Sequence, residues 1–123
     1  MDSTDAPRRG EVWLVSLGAG RAGEPGKTRP AVIVSVDALS AGAAGELIVV
    51  VPLSSSLAPS ALRVEIEPGA GTERASRAVC RAVRAVVRSR MMHPIGRGAP
   101  AELEQIDTAL ALILGLDRGL GPR

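Results

Sequence analysis

The sequence predicts a mainly β domain that ends in a single α-helix. Short apolar or alternating runs recur along the first half of the chain, each closed by Gly, Pro or Ser. The one clear stretch with helical apolar spacing comes after Pro100. A length of 123 residues leaves room for one ordinary domain and not for two.

Taken in order, residues 1–8 are expected to be a flexible arm ahead of a single domain over 9–116, and residues 117–123 a flexible tail. Residues 11–17, Glu-Val-Trp-Leu-Val-Ser-Leu, are rich in strand formers and predict a buried strand. A long glycine-bearing loop follows from Gly18 to Thr28, a length more often functional than decorative in a small domain. Pro30 opens a second strand over 31–36, and residues 37–45 are a small-residue connection. Residues 47–51 are apolar throughout, as in a strand covered on both faces, and end at Pro52. Leu62, Val64 and Ile66 alternate with Arg63, Glu65 and Glu67, which places the first set inward and the second in water.

Residues 76–91 fit two descriptions. Arg77, Arg81, Arg84 and Arg88 would share one stripe of a helix, while Val79, Val83, Val86 and Val87 suit strands. Periodicity does not decide between them. The last element is plain. Pro100 suits a first helical turn, Glu102 and Glu104 favour the positive end of the helix dipole, and Leu103, Ile106, Leu110 and Ile113 or Leu114 make one apolar stripe up to about Gly115.

Composition removes several classes of function. Hydrophobic residues are 46% and charged residues 23%, the mix of a folded protein. No apolar run approaches the roughly 20 residues that span a bilayer. The acidic start, Met1-Asp2-Ser3-Thr4-Asp5, has no apolar stretch behind it, so no secretory signal is expected and a cytoplasmic location is. Cys80 and His93 are each the only one of their kind, which rules out an intrachain disulfide, a two-histidine acid–base pair and metal sites built from several His or Cys. No metal or cofactor is expected. Arg, Ser, Thr, Asp and Glu are left for chemistry.

The net charge is only +2, yet of 15 basic residues Lys27 alone is a lysine. Seven arginines (74, 77, 81, 84, 88, 90 and 97) fall in a stretch without Asp or Glu. Such a stretch marks either a surface facing a polyanion or a set of solvated side chains. Two phosphate-binding motifs fail on context. Gly18, Gly20 and Gly23 have dinucleotide-loop spacing, but Pro25 and Pro30 prevent the helix that would hold a pyrophosphate. Gly26-Lys27-Thr28 lacks the first phosphate-loop glycine, since Arg21 stands there.

Three segments carry a likeness: Arg9-Gly10-Glu11-Val12-Trp13, then Thr28-Arg29-Pro30-Ala31-Val32-Ile33-Val34, then Val50-Val51-Pro52-Leu53-Ser54-Ser55. In this order and spacing the chain resembles the MazF/PemK-like toxins of bacterial toxin–antitoxin pairs, ribosome-independent endoribonucleases, over roughly residues 8–116. The resemblance implies a strongly curved, SH3-like sheet with the helix packed on it, a symmetric homodimer, and strand over most of 76–91. It also implies metal-independent, sequence-specific cleavage of single-stranded RNA, by 2′-hydroxyl attack that leaves a 2′,3′-cyclic phosphate and a 5′-hydroxyl, and a cognate antitoxin protein as partner.

Such a reaction needs a base for the 2′ proton, an acid for the 5′ oxygen and donors for the pentacoordinate phosphorus. By resemblance, Arg29 stabilises charge and Ser54 hydrogen-bonds the phosphate; a guanidinium fork matches two phosphate oxygens at once. Ser54 also suits a plain role as a turn serine capping its own backbone. Some family members offer a His and an Asp where this chain has Gly23 and Arg81, which leaves Glu24 as the candidate base. Lys27, Thr28, Ser55, Arg81 and Arg84 are the candidate RNA contacts. With no Phe or Tyr, stacking is nearly absent, so recognition leans on backbone, arginine and salt-sensitive electrostatics. Trp13 and Cys80 read as core, and His93 as a turn residue after the last strand. The alternative is a toxin on the same scaffold that binds a protein such as a topoisomerase without cutting RNA, or an inactive family member.

Overall fold

Short runs of strand-forming residues, some apolar throughout and some alternating, build seven strands in the computed structural model, which describes residues 6–18, 28–40, 46–56, 62–72 and 75–116. The strands are β1 (Glu11–Ser16), β2 (Thr28–Ile33), β3 (Leu47–Ser54), β4 (Arg63–Ile66), β5 (Ser76–Val79), β6 (Arg84–Val87) and β7 (Met91–Arg97); helix α1 (Asp37–Ser40) follows β2 and helix α2 (Pro100–Leu114) closes the chain. All pairings are antiparallel, in the order β4-β5-β3-β2-β1-β7 with β6 also on β3.

Strand β3 makes the sheet curve. Along one edge it pairs Leu47–Val50 with β6 and then Leu53 and Ser54 with β5, while β2 runs along its other edge. Pro52 sits where the partner changes, one of the few mid-strand places that tolerates a missing N–H. The strand therefore runs on past Pro52, and Ser54 is its last residue rather than part of a following loop. Strand β2 likewise differs from expectation: it begins at Thr28 and stops at Ile33, and residues 37–40 form a helical turn instead of an open connection. Residues 76–91 are mainly strand, interrupted by 3-10 turns at Cys80–Ala82 and Arg88–Arg90.

The pleat sends neighbouring side chains to two apolar clusters. Val12, Val32, Val51, Leu53, Val64, Ile66, Ala78 and Cys80 meet Ile106 and Ala109 of α2. Trp13, Val15, Ala31, Ile33, Ile48, Val50, Val86 and Met91 pack on the other face. Burial pushes the Cys80 thiol up to about 11, so it stays protonated and unreactive near neutral pH. Trp13 is 2% exposed, and its Nε1 donates to Glu11 Oε1 at 2.9 Å.

Arg9 ties the sheet to both helices. Its Nη1 donates to the Val34 carbonyl at 2.6 Å, its Nη2 to Asp107 of α2, and its backbone N–H to Asp37 Oδ1 of α1 at 2.7 Å. Arg9→Ala is expected to cost about 1–3 kcal/mol, since a charged donor is lost and the Val34 carbonyl is orphaned. The check is the urea midpoint; an unchanged midpoint would show that the bonds contribute nothing.

Candidate functional site

The site grows from period-two geometry. Ala31 and Ile33 of β2, Ile48 and Val50 of β3 and Val86 of β6 all lie in the Trp13 cluster. Stepping two residues along each strand from that cluster leads to Arg29, Ser54 by way of Pro52, and Arg84, so all three share its face. Ala31 pairs with Pro52, and continuing that register by two places brings Arg29 opposite Ser54. Arg29 also lies opposite Val15, and Arg84 opposite Val50. The three polar side chains line one cleft of about 290 Å³, together with Leu17, Pro52, Leu53, Val79 and Ala82.

Among the described residues its other walls are apolar, and its charges are the two guanidiniums. Arg29 is half-buried and Arg84 exposed, and among the described residues neither has a carboxylate partner. Ser54 Oγ accepts the Ser56 backbone N–H at 3.1 Å. That bond is the turn-capping role, and it fixes the oxygen while leaving the hydroxyl proton to donate. Two cationic forks and an oriented hydroxyl are a donor set for an anionic tetrahedral group, where both charge and geometry favour phosphate.

The other expected residues scatter. Glu24 and Lys27 lie outside the described residues. Thr28, opposite Ser16, and Ser55, just past the end of β3, are exposed and do not line the cleft. Arg81 is exposed on the turn Cys80–Ala82, whose Ala82 forms part of the wall. The acid-free arginine stretch also divides. Arg88 lies 5.2 Å from the Trp13 ring centroid and donates to the Met91 carbonyl, Arg90 reaches the Ser16 carbonyl at 3.4 Å, and Arg97 sits 3.7 Å from Glu11. These three hold the sheet together. Arg63, expected in water, is only partly exposed, and its Nη1 is buried with no hydrogen-bond partner among the described residues. His93 is exposed within β7, opposite Leu14, rather than in a turn after the last strand. The reading from sequence missed Arg77, which lies directly opposite Ser54 on β5. The signal for it was the alternation of Arg77 and Val79 about the buried Ala78.

Comparison with known proteins follows the same lines. A family model described as PemK-like, MazF-like toxin of type II toxin–antitoxin system matches residues 8–114. Endoribonuclease MazF9 of Mycobacterium tuberculosis is 37% identical over 115 residues, 89% of this chain and 97% of the relative. A probable endoribonuclease MazF of Mycolicibacterium smegmatis is 32% identical over 112 residues, 89% of this chain and 97% of the relative. Among solved structures, a mycobacterial endoribonuclease in complex with its cognate antitoxin is 27% identical with a TM-score of 0.73, covering 90% of this chain and 97% of that one. The fold also superposes on a MazF of Deinococcus radiodurans with a TM-score of 0.76 at 20% identity, covering 89% of this chain and 97% of that one.

Proposed function

Because the chain belongs to the PemK-like, MazF-like toxins of type II toxin–antitoxin systems, we propose that it is an endoribonuclease that cuts single-stranded RNA at specific sequences. The observation that carries this is the cleft in which Arg29, Ser54 and Arg84 converge. The two mycobacterial relatives described above are named as endoribonucleases, which favours cutting over protein binding alone.

The scissile phosphate sits between Arg29 and Ser54. The neighbouring 2′-hydroxyl attacks phosphorus in line, the P–O5′ bond breaks with the 5′ oxygen taking a proton from solvent, and a 2′,3′-cyclic phosphate remains. Arg29 neutralises the charge that builds on the non-bridging oxygens, and the Ser54 hydroxyl donates to one of them. A guanidinium stays protonated, so Arg29 serves as charge stabiliser and donor rather than base. Glu24 takes the 2′ proton in this scheme, a role assigned on sequence. Arg84 holds an adjoining phosphate, with Lys27, Thr28, Ser55 and Arg81 as outer contacts. The protein works as a homodimer in the cytoplasm and is silenced by a cognate antitoxin; no described helix is long and apolar enough to cross a membrane.

The test is incubation of purified protein with mixed RNA in EDTA, followed by mapping and chemical analysis of the ends. Cyclic phosphates and 5′-hydroxyls at a recurring sequence are expected. A single 2′-deoxy sugar before the cut should abolish cleavage, since it removes the nucleophile. Cutting that persists at the deoxy site would refute the internal-nucleophile scheme.

A further inference from the structure

We propose that Arg77 forms a second phosphate subsite beside Ser54, gripping the RNA backbone next to the scissile phosphate, and that Glu65 marks where this path ends. The proposal rests on the ribonuclease reading above. Its basis is register. Ser54 on β3 pairs directly with Arg77 on β5, and Arg77 pairs in turn with Glu65 on β4. Directly opposed residues of an antiparallel pair have their Cβ atoms about 5 Å apart.

Burial fixes the face. Leu53, Ala78, Val64 and Ile66 are all buried in the cluster beneath α2. Their neighbours Ser54, Arg77 and Glu65 therefore project from the opposite face, as does Val79, which lines the cleft two residues on from Arg77. Arg29, Ser54 and Arg77 thus sit on three adjacent strands, β2, β3 and β5. With strands spaced about 4.8 Å apart, the hydroxyl has one guanidinium stem on each side, and the two stems start about 10 Å apart. Side chains of arginine length reach neighbouring phosphates of one extended strand from such positions. Glu65 comes next in the same row, and its carboxylate repels the phosphate after that.

The sequence pattern alone hides this. Arg77 shares its helical spacing with Arg81, Arg84 and Arg88, yet the turn at Cys80–Ala82 breaks the series. Strand pairing, not spacing, puts Arg77 at the hydroxyl.

The experiment measures binding apart from cutting. The probe is a fluorescein-labelled, mixed-sequence oligonucleotide with 2′-O-methyl sugars, which cannot be cleaved, titrated by anisotropy over a salt series. Arg77→Ala is expected to weaken binding about 10-fold at low salt and to flatten the log–log salt slope by about 0.7, the value for one phosphate contact on a single strand. Arg77→Lys should recover most of both. Arg8→Ala removes an exposed charge at the far end of β1 from the cleft and should leave the slope unchanged. Glu65→Gln should tighten binding about 2- to 4-fold, and only where Arg77 is present. In cleavage assays Arg77→Ala should raise KM and leave kcat within about 2-fold. A wild-type salt slope in Arg77→Ala, or a fall in kcat with binding intact, would overturn the subsite. The ribonuclease reading fails separately, if wild-type protein cuts no RNA while the anisotropy series still reports on Arg77.

Discussion

Arg29→Ala is expected to lower RNA cleavage by about 100- to 1,000-fold, the loss typical when one preorganised donor to a developing oxyanion is removed. The magnitude follows from where the side chain stands. Arg29 is half-buried in a cleft whose other lining includes Leu17 and Pro52, so its charge acts beside apolar walls rather than in bulk water alone. Arg84 shares the cleft but is exposed, and its removal should act mainly on binding. Ser54→Ala should lose about 10- to 100-fold, since one hydrogen bond from a hydroxyl to the charged phosphate goes while the guanidinium stays. The fold should hold in Arg29→Ala, because no bond or ion pair among the described residues depends on that side chain. Single-turnover rates at saturating RNA, read beside the urea midpoint, separate chemistry from stability. A variant that folds normally and cuts at the wild-type rate would remove Arg29 from the mechanism.

The elements that rest on local pattern are legible in the sequence. Leu103, Ile106 and Leu110 predicted α2, which runs from Pro100 to Leu114, and the alternation of Leu62 to Glu67 predicted β4. Trp13 and Cys80 were read as core, and both are buried. Strand ends were less legible, because they depend on partners distant in sequence. Pro52 reads locally as a stop, yet β3 continues because it trades β6 for β5 at that point. The arginine series at 77, 81, 84 and 88 mimics a helix only because two 3-10 turns absorb the residues between strands. Its members then meet different fates: Arg84 enters the cleft, Arg88 stacks on Trp13, and Arg77 faces Ser54. The convergence of Arg29 with Ser54 could be expected from resemblance but not computed from spacing, since 24 residues of loop and strand separate them and only register closes the gap. Glu24 and Lys27 lie outside the described residues, so their place at the site stays a matter of sequence.

Gly71→Ala is expected to destabilise the protein by about 3 kcal/mol or more, and to lower Tm by roughly 10–20 °C. Two penalties coincide at this residue. Its φ of +108° lies where only glycine is at ease, and a Cβ placed there would fall 2.1 Å from the Ile95 carbonyl oxygen. That oxygen belongs to the backbone of β7, so no side-chain rotation relieves the clash. The contact matters because β4 and β7 are the two ends of the strand order, and Gly71 caps the 3-10 turn Pro68–Ala70 that follows β4. Close approach at Gly71 is what lets one end of the curved sheet touch the other. Two other glycines calibrate the result. Gly115 has a φ of +70° but no described residue within 4 Å of a Cβ placed there, so Gly115→Ala should cost only about 1 kcal/mol. Gly69 lies two residues before Gly71, likewise with no described residue within 4 Å of an added Cβ, and Gly69→Ala should be nearly neutral. Melting curves of the three variants therefore rank steric closure above backbone strain, and strain above bare substitution. If Gly71→Ala melts with Gly115→Ala, the ends of the sheet are not held by this contact, and the curvature of the sheet must come from the β3 partner change alone.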